Sequence, residues 1–599
     1  MFEAGLTVTQ DRIRAAPSAH PLLPHMTRSP SSAVLGAAVV LAIYGGPLGA
    51  QAGTQASAST PTATSASAPD ISTADLRQRL SQFSDDSMLG RETGTIGNVK
   101  ATDYIARAAR QLGLRPAGEN GTYFQTVAMI NRSIDTTSTM IVNGGPVVFG
   151  RDWLPLASRG GQSPVRPSGS VTVSVAVYGG RLGDSTVMLT PEQSSGRIVV
   201  LDASLGAGGR PVATFRGALD HYPGAAAIAL ATLDLMTAPA LQAARRPLLV
   251  LPRPEDARDP RPVGVSVTEA EAARLMGAPL AGLQPGATHQ VAVDLTVRVT
   301  DAQPTAPARN VIAVFPGADL ALRGEYVALG AHSDHLGVAA HGVDADSLRA
   351  WNAARWKLMD LGSGAAPTPG ELATIHVNMD SLRRIRPAHR DSIFNGADDD
   401  GSGTVTLLEI AQAFTHSPVK PKRSILFVWH TGEEKGLLGS AYFTDHPTVS
   451  RDSIVSQLNL DMVGRGRADE WKGAGPRYLM LVGSRRLSTE LGDMVERVNK
   501  TEPEPFVFDY TYDANGHPEN VYCRSDHYEY ARYGIPIVFF TTGLHQDYHQ
   551  VTDEVQYIDF GHLARVDRLV FDVAMQVANL DHRPVVDKPK PDPHGVCKQ

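Results

Sequence analysis

Residues 430–440 read HTGEEKGLLGS, and Glu433 and Glu434 follow the apolar run SILFVW after three residues, His430, Thr431 and Gly432. Adjacent carboxylates repel each other and are costly to bury without a partner. A fold that sets them at the end of a core strand therefore calls for a cation. Four other apolar runs end in similar groups: GAHSDHLG supplies His332 and Asp334, NGADDDGSG supplies Asp398, Asp399 and Asp400, NLDMVG supplies Asp461, and LHQDYHQ supplies His545, Asp547 and His549. The five ends are expected to share one sheet edge.

Imidazole and carboxylate donors without thiolate suit zinc in a hydrolytic site. There are more of them than one catalytic zinc needs, so two ions sharing a bridging carboxylate fit better. His332 and Asp334 are two apart on a strand and share a side. Asp334 is then expected to accept the second imidazole N–H of His332, and His335 is expected to point elsewhere. Read alone, the Glu433–Glu434 pair also matches an exposed helix start, where the dipole favours acids.

The elements that must position these groups follow from periodicity. The stretches NVIAVFPG, EYVALGAH, SILFVWHT, SQLNLDMVG, RYLMLVGS and IPIVFFTTG read as strands, and GTVTLLEIAQAF, SRRLSTELGDMVERVNK and FGHLARVDRLVFDVAMQVANL as helices. Their alternation predicts an α/β fold with a mixed, largely parallel central sheet and helices on both faces. Such sheets place ligands at the carboxyl ends of their strands. Two amphipathic helices, STADLRQRLSQFS and GNVKATDYIARAARQLGL, and a strand, TYFQTVAMI, open the domain at 72–145.

Residues 146–295 change character to short strands separated by Gly and Pro, with a helical piece expected in the alanine-rich GAAAIALATLDLM. They read as an inserted, mostly-β module. Catalytic elements resume at 296–582 and are interrupted at 338–390 by amphipathic stretches too long for a bare loop. That interruption is either a helical cap beside the site or a surface elaboration. Residues 583–599 form a tail.

The chain has 599 residues, room for more than one domain. Its formal net charge of -7, with no long basic run, argues against nucleic acid or an anionic membrane as partner. The two cysteines, Cys523 and Cys597, are too few for a cysteine-rich metal site, and their spacing leaves pairing open. Near the N-terminus, AVLGAAVVLAIY follows Arg28 and precedes GGPLGAQA, which offers cleavage after Ala50 or Ala52. Residues 1–52 are expected to be a leader, with Met26 as its natural start. The apolar run is short for a membrane span, so export without stable membrane insertion is expected. A Ser/Thr/Ala/Pro linker follows at 53–71.

The ordered set LGRETGTIGN, GAHSDHLG, NGADDDGSGT, HTGEEKGLLGS, NLDMVGR, SDHYEYARYGIPIVFF and DYHQVTDE resembles the M28 metallopeptidases, the co-catalytic zinc aminopeptidases, over nearly all of 73–580. The resemblance implies a bridging Asp399 with a cis peptide bond to Asp400. It implies one zinc on Asp399, Glu434 and His549, and a second on Asp399, His332 and Asp461. Glu433 would be the general base for a metal-bridging water, Asp334 would orient His332, and Tyr522 would hydrogen-bond the oxyanion. His549 is preferred to His545, and Asp398 and Asp400 become structural groups. Residues 146–295 resemble a protease-associated (PA) domain. A peptide is the implied substrate and aminopeptidase action the implied activity. A carboxypeptidase, a glutaminyl cyclase and a non-catalytic binding protein are the alternatives on the same fold.

Overall fold

The computed structural model describes residues 71–156, 165–182, 184, 186–203, 221–252, 261–359, 367–467, 470, 474–595 and 597–599. The expected leader and most of the linker lie outside them. The helices that frame the site are α1 (Thr73–Phe83), α2 (Ile96–Gln111), α3 (Ala345–Trp356), α4 (Gly403–His416), α5 (Leu438–Asp445), α6 (Thr489–Thr501) and α7 (Phe560–Asn579). Their starts follow local chemistry. Ser72 accepts the Asp75 N–H, Thr95 the Gly97 N–H and Asp344 the Ser347 N–H, each filling an orphan donor of the first turn.

The central sheet has nine strands: β1 (Arg115–Pro116), β2 (Phe124–Val127), β3 (Ala308–Phe315), β4 (Tyr326–His332), β7 (Ser424–His430), β8 (Ile454–Leu460), β9 (Tyr478–Val482), β10 (Val507–Asp509) and β11 (Ile537–Thr541). The numbers β5 (Gly337–Asp344) and β6 (Arg390–Phe394) belong to a separate two-stranded hairpin. The order is β1-β3-β7-β4-β8-β11-β9-β10, with β2 also on β3. The inner four strands, β7, β4, β8 and β11, run parallel, and His332 pairs in register with His430. The outer pairings of β3 with β7 and of β9 with β11 are antiparallel, so the sheet is mixed.

The inner strands are buried on both faces, which explains their near-continuous apolar sequence. Alternate residues feed opposite cores. Ile425, Phe427, Trp429, Leu458 and Phe540 pack with α1, α2, α4 and α7. Leu426, Val428, Ile537 and Phe539 pack with Phe443, Tyr528 and Tyr530 on the other face.

Two expectations are corrected here. The alanine-rich stretch is not helical: Ala227–Ala231 is a strand, paired parallel to Ile198–Asp202 on one side and Val263–Val267 on the other. All five residues are buried in a slot between two strands, and that tertiary context outweighs alanine's helix propensity. This strand belongs to an eight-stranded sheet drawn from Thr139 to Val297, with its own core around Trp153, Val173, Val200 and Val265. Second, Asp398–Asp400 do not end a strand of the central sheet. They lie in the turn between β6 and α4, after the hairpin that carries the interruption. The hairpin encloses α3 and two short helices, Pro369–Ala373 and Met379–Ile385. Among the described residues no helix is long and apolar enough to cross a membrane.

Candidate metal centre

The four parallel strands end side by side, and each delivers a charged group just past its end. His332 closes β4, Glu433 and Glu434 follow β7, Asp461 follows β8, and the loop after β11 brings in His549. Asp399 joins them from the turn into α4. Its backbone is held by Asp553, whose Oδ2 accepts the N–H groups of Asp398 at 2.9 Å and Asp399 at 3.1 Å. The Asp399–Asp400 peptide bond is cis. Gly396, at φ 51°, allows this turn to close: a Cβ there would lie 2.2 Å from the Asp399 carbonyl oxygen and 2.5 Å from the His335 ring.

Two clusters of donor atoms share Asp399. His332 Nε2 lies 3.2 Å from Asp399 Oδ1 and 3.5 Å from Asp461 Oδ1. His549 Nε2 lies 3.2 Å from Asp399 Oδ2 and 3.0 Å from Glu434 Oε2. His332 Nε2, Asp399 Oδ2 and Asp461 Oδ1 are buried without a hydrogen-bond partner, an arrangement that costs free energy unless something else satisfies them. The donor set fits zinc, with imidazole and carboxylate but no thiolate. The spacing fits too, because donors about 2.0–2.1 Å from a tetrahedral zinc lie roughly 3.3 Å apart.

The carbonyl oxygen of Asp334 accepts the His332 Nδ1–H at 3.1 Å, which leaves Nε2 as the free donor atom. Its carboxylate is 3.9 Å from Nδ1 and instead accepts the Glu433 backbone N–H at 3.2 Å. Asp334 thus touches both His332 and Glu433, but its carboxylate serves Glu433. His335 does not point elsewhere. It is fully buried, its Nδ1 is 2.6 Å from Glu434 Oε1, and it lies 3.9 Å from Asp399 Oδ2. Strand alternation misled here because β4 stops at His332, and beyond a strand end the period of two no longer holds. Either His335 or His549 is near enough to Glu434 and Asp399 to complete a site. His549 faces one oxygen of each carboxylate at nearly equal distance, whereas His335 grips the opposite oxygen of Glu434 and orients it.

The two glutamates sit in different fields. Burial pushes the Glu433 carboxyl well above the usual range, and Glu434 and Asp461 add to the effect. Burial acts the same way on Glu434, but His549 and His335 outweigh it and hold Glu434 well below the usual range. Neighbouring acids with pKa values driven apart have separate roles to play. Glu433 lines a cavity of about 50 Å³ together with Tyr512, Val521, Phe539 and Leu544.

Tyr522 lies outside that cavity. Its ring packs under the Arg486 guanidinium at 4.2 Å and beside His527 and Tyr528, and the charged groups it feels are Arg486 and Asp513. Tyr548 lines the cavity, stacks on His549 at 3.8 Å and feels Asp399, Glu434 and Glu433. Its hydroxyl oxygen accepts a hydrogen bond from Arg524 at 3.1 Å. Sequence reasoning passed over Tyr548 although it directly precedes His549. His545 faces Asp398, with Nε2 3.3 Å from Oδ2, behind the site. Asp400 accepts the His332 and Gly403 N–H groups and is a structural group.

Residues 373–574, which contain four of the five expected ligands, match the model of Peptidase family M28. Over these residues the chain is similar to peptidase family M28. Leucine aminopeptidase 1 of Paracoccidioides brasiliensis (strain Pb03) is 32% identical over 211 residues, 32% of this chain and 51% of that protein. The chain thus spans about half the length of that curated relative. Among solved structures, an aminopeptidase from Aneurinibacillus sp. strain AM-1 aligns at 17% identity with a TM-score of 0.45, covering 87% of this chain and 97% of that one. BSAP, a zinc aminopeptidase from Bacillus subtilis, aligns at 15% with a TM-score of 0.42, over 86% and 96%. The matched family and the donor groups of the site point to zinc.

Proposed function

We propose that the chain is an exported aminopeptidase that holds two zinc ions and removes apolar residues from the N-termini of peptides. The observation that carries this reading is the split use of Asp399, one carboxylate oxygen toward His332 and Asp461 and the other toward Glu434 and His549, with Glu433 free to face the cavity. Zinc bound there supplies Lewis acidity, polarising the scissile carbonyl and acidifying the attacking water. Glu433 takes the proton of that water and passes it to the leaving amine, a role suited to a carboxyl with a raised pKa. Tyr548, its oxygen already engaged by Arg524, turns its O–H toward the developing oxyanion. Tyr512, Val521, Phe539 and Leu544 seat the apolar side chain.

The names of the relatives support aminopeptidase action, and the Cys523–Cys597 disulfide supports an oxidising compartment. The eight-stranded module is assigned, on its resemblance to a PA domain, to substrate access rather than chemistry. Hydrolysis of leucyl-p-nitroanilide, lost with a chelator and restored by zinc at about two ions per chain, is the expected result. Activity confined to N-blocked peptides would sink the aminopeptidase reading. Cyclisation of N-terminal glutamine with one zinc per chain would replace it with the cyclase alternative.

A further inference from the structure

The interruption between β5 and β6 grips the loop that carries His549. Helix α3 presents Arg349 and Trp356 two turns apart on one face. Arg349 Nη2 donates to Asp547 Oδ2 at 3.2 Å, and its guanidinium lies over the Tyr557 ring at 3.5 Å. Trp356 Nε1 donates to the Glu470 carbonyl oxygen. Two of the contacted residues, Asp547 and Glu470, are acids already paired with Arg465 from the core side. Arg465 Nη1 lies 2.8 Å from Glu470 Oε1 and 3.3 Å from Asp547 Oδ2, and its Nη2 lies 3.0 Å from Asp553 Oδ1. Asp553 in turn holds the Asp399 backbone.

Asp547 shapes the turn that aims His549. Its carbonyl oxygen accepts the Gln550 N–H at 3.0 Å, and its Oδ1 accepts the Thr552 hydroxyl at 2.8 Å. His549 stands inside this turn at φ 57°, a left-handed conformation that a non-glycine residue keeps only when its surroundings impose it. The side chain of Asp547 is fully buried, and two guanidinium groups share its Oδ2. A buried carboxylate stays fixed only while its charge and hydrogen bonds are matched.

We propose that Arg349 is a positioning residue, through which the interruption at 338–390 sets the turn carrying His549 and so tunes zinc binding at that half of the centre. This rests on the zinc reading given above. The test compares Arg349→Met and Arg349→Lys with wild type in three readouts: zinc release to a chromophoric chelator, kcat and KM on leucyl-p-nitroanilide, and the melting temperature of the zinc-free protein. Arg349→Met is expected to lose its more weakly held zinc roughly tenfold more readily, with a similar fall in kcat and little change in KM. Arg349→Lys is expected to recover part of both losses, and the zinc-free variants are expected to stay folded, melting modestly below wild type because Asp547 keeps only Arg465. Unchanged zinc release and kcat in Arg349→Met would overturn the proposal, as would a lowered melting temperature with zinc release unchanged. Wild-type protein that binds no zinc overturns the reading of the site as well; a zinc-loaded wild type indistinguishable from Arg349→Met overturns this inference alone.

Discussion

Glu433 and Glu434 are neighbours in sequence with different surroundings. Glu434 is held between two imidazoles, and Glu433 faces the cavity with its backbone N–H on Asp334. Glu433→Gln is therefore expected to keep the fold and its zinc while kcat falls by about 10²–10⁴, as measured by metal analysis and steady-state kinetics. Near-normal turnover would remove Glu433 from the base role. The two tyrosines give a sharper comparison, because only Tyr548 shares space and field with the site acids. Tyr548→Phe is expected to lower kcat by about 10²–10³, and Tyr522→Phe to leave it near wild type. The opposite ranking would restore Tyr522 to the oxyanion. Residue types at this scale were legible in the sequence, since metal-binding chemistry restricts the choice to imidazole and carboxylate. The orientation of His335 was not, because it depends on where β4 stops.

Among the elements, α6 and α7 carry a pH dependence of their own. Glu502 at the end of α6 is electrostatically coupled to the Asp572 carboxyl of α7, and burial together with Asp572 pushes Glu502 up to about 7. A carboxyl whose pKa is raised by folding contributes stability that is fully present below the unfolded value of about 4 and is lost as pH rises through about 7. The melting temperature should therefore fall between pH 5 and pH 8 through this pair. Asp572→Asn is expected to flatten that slope relative to wild type in thermal scans across the range, and parallel slopes would show that the pair does not titrate as described. Strands and helices with strong periodicity were legible: α2, α6, α7 and the six long strands of the central sheet all follow their apolar patterns. The stretch Ala227–Ala231 was not, because alanine fits a helix in isolation and a narrow inter-strand slot in this sheet.

Over the whole molecule, the C-terminal tail returns to brace the cavity wall. Cys597 is disulfide-bonded to Cys523, and Gln599 accepts the Tyr522 N–H at 2.9 Å and donates to the Tyr512 carbonyl oxygen at 2.8 Å. Val521, Arg524 and Ser525 of the same segment line the cavity. With a sequence separation of 74 between its cysteines, the disulfide contributes about 4 kcal/mol in the chain-entropy picture. Cys597→Ser is expected to lower the melting temperature and to raise KM for apolar substrates more than it changes kcat, since it loosens the wall and leaves the metal ligands alone. A kcat collapse with KM unchanged would place the effect at the metals instead.

The sequence by itself determined the chemistry and the order of the elements. Donor types, their place after apolar runs, and the alternation of strands with helices are local properties, written in composition and period. Only the tertiary structure decided which histidine faces which carboxylate, which tyrosine reaches the cavity, and that Cys523 meets Cys597. It also brought Arg349 and Arg465 to one aspartate from opposite sides, although they stand 116 positions apart in a chain of 599 residues. Such meetings depend on strand order, strand ends and loop paths, and these are set by packing across the whole core rather than by any window of sequence. In HTGEEKGLLGS the adjacency of the two glutamates was visible from the start; the separation of their electrostatic environments belongs to the fold.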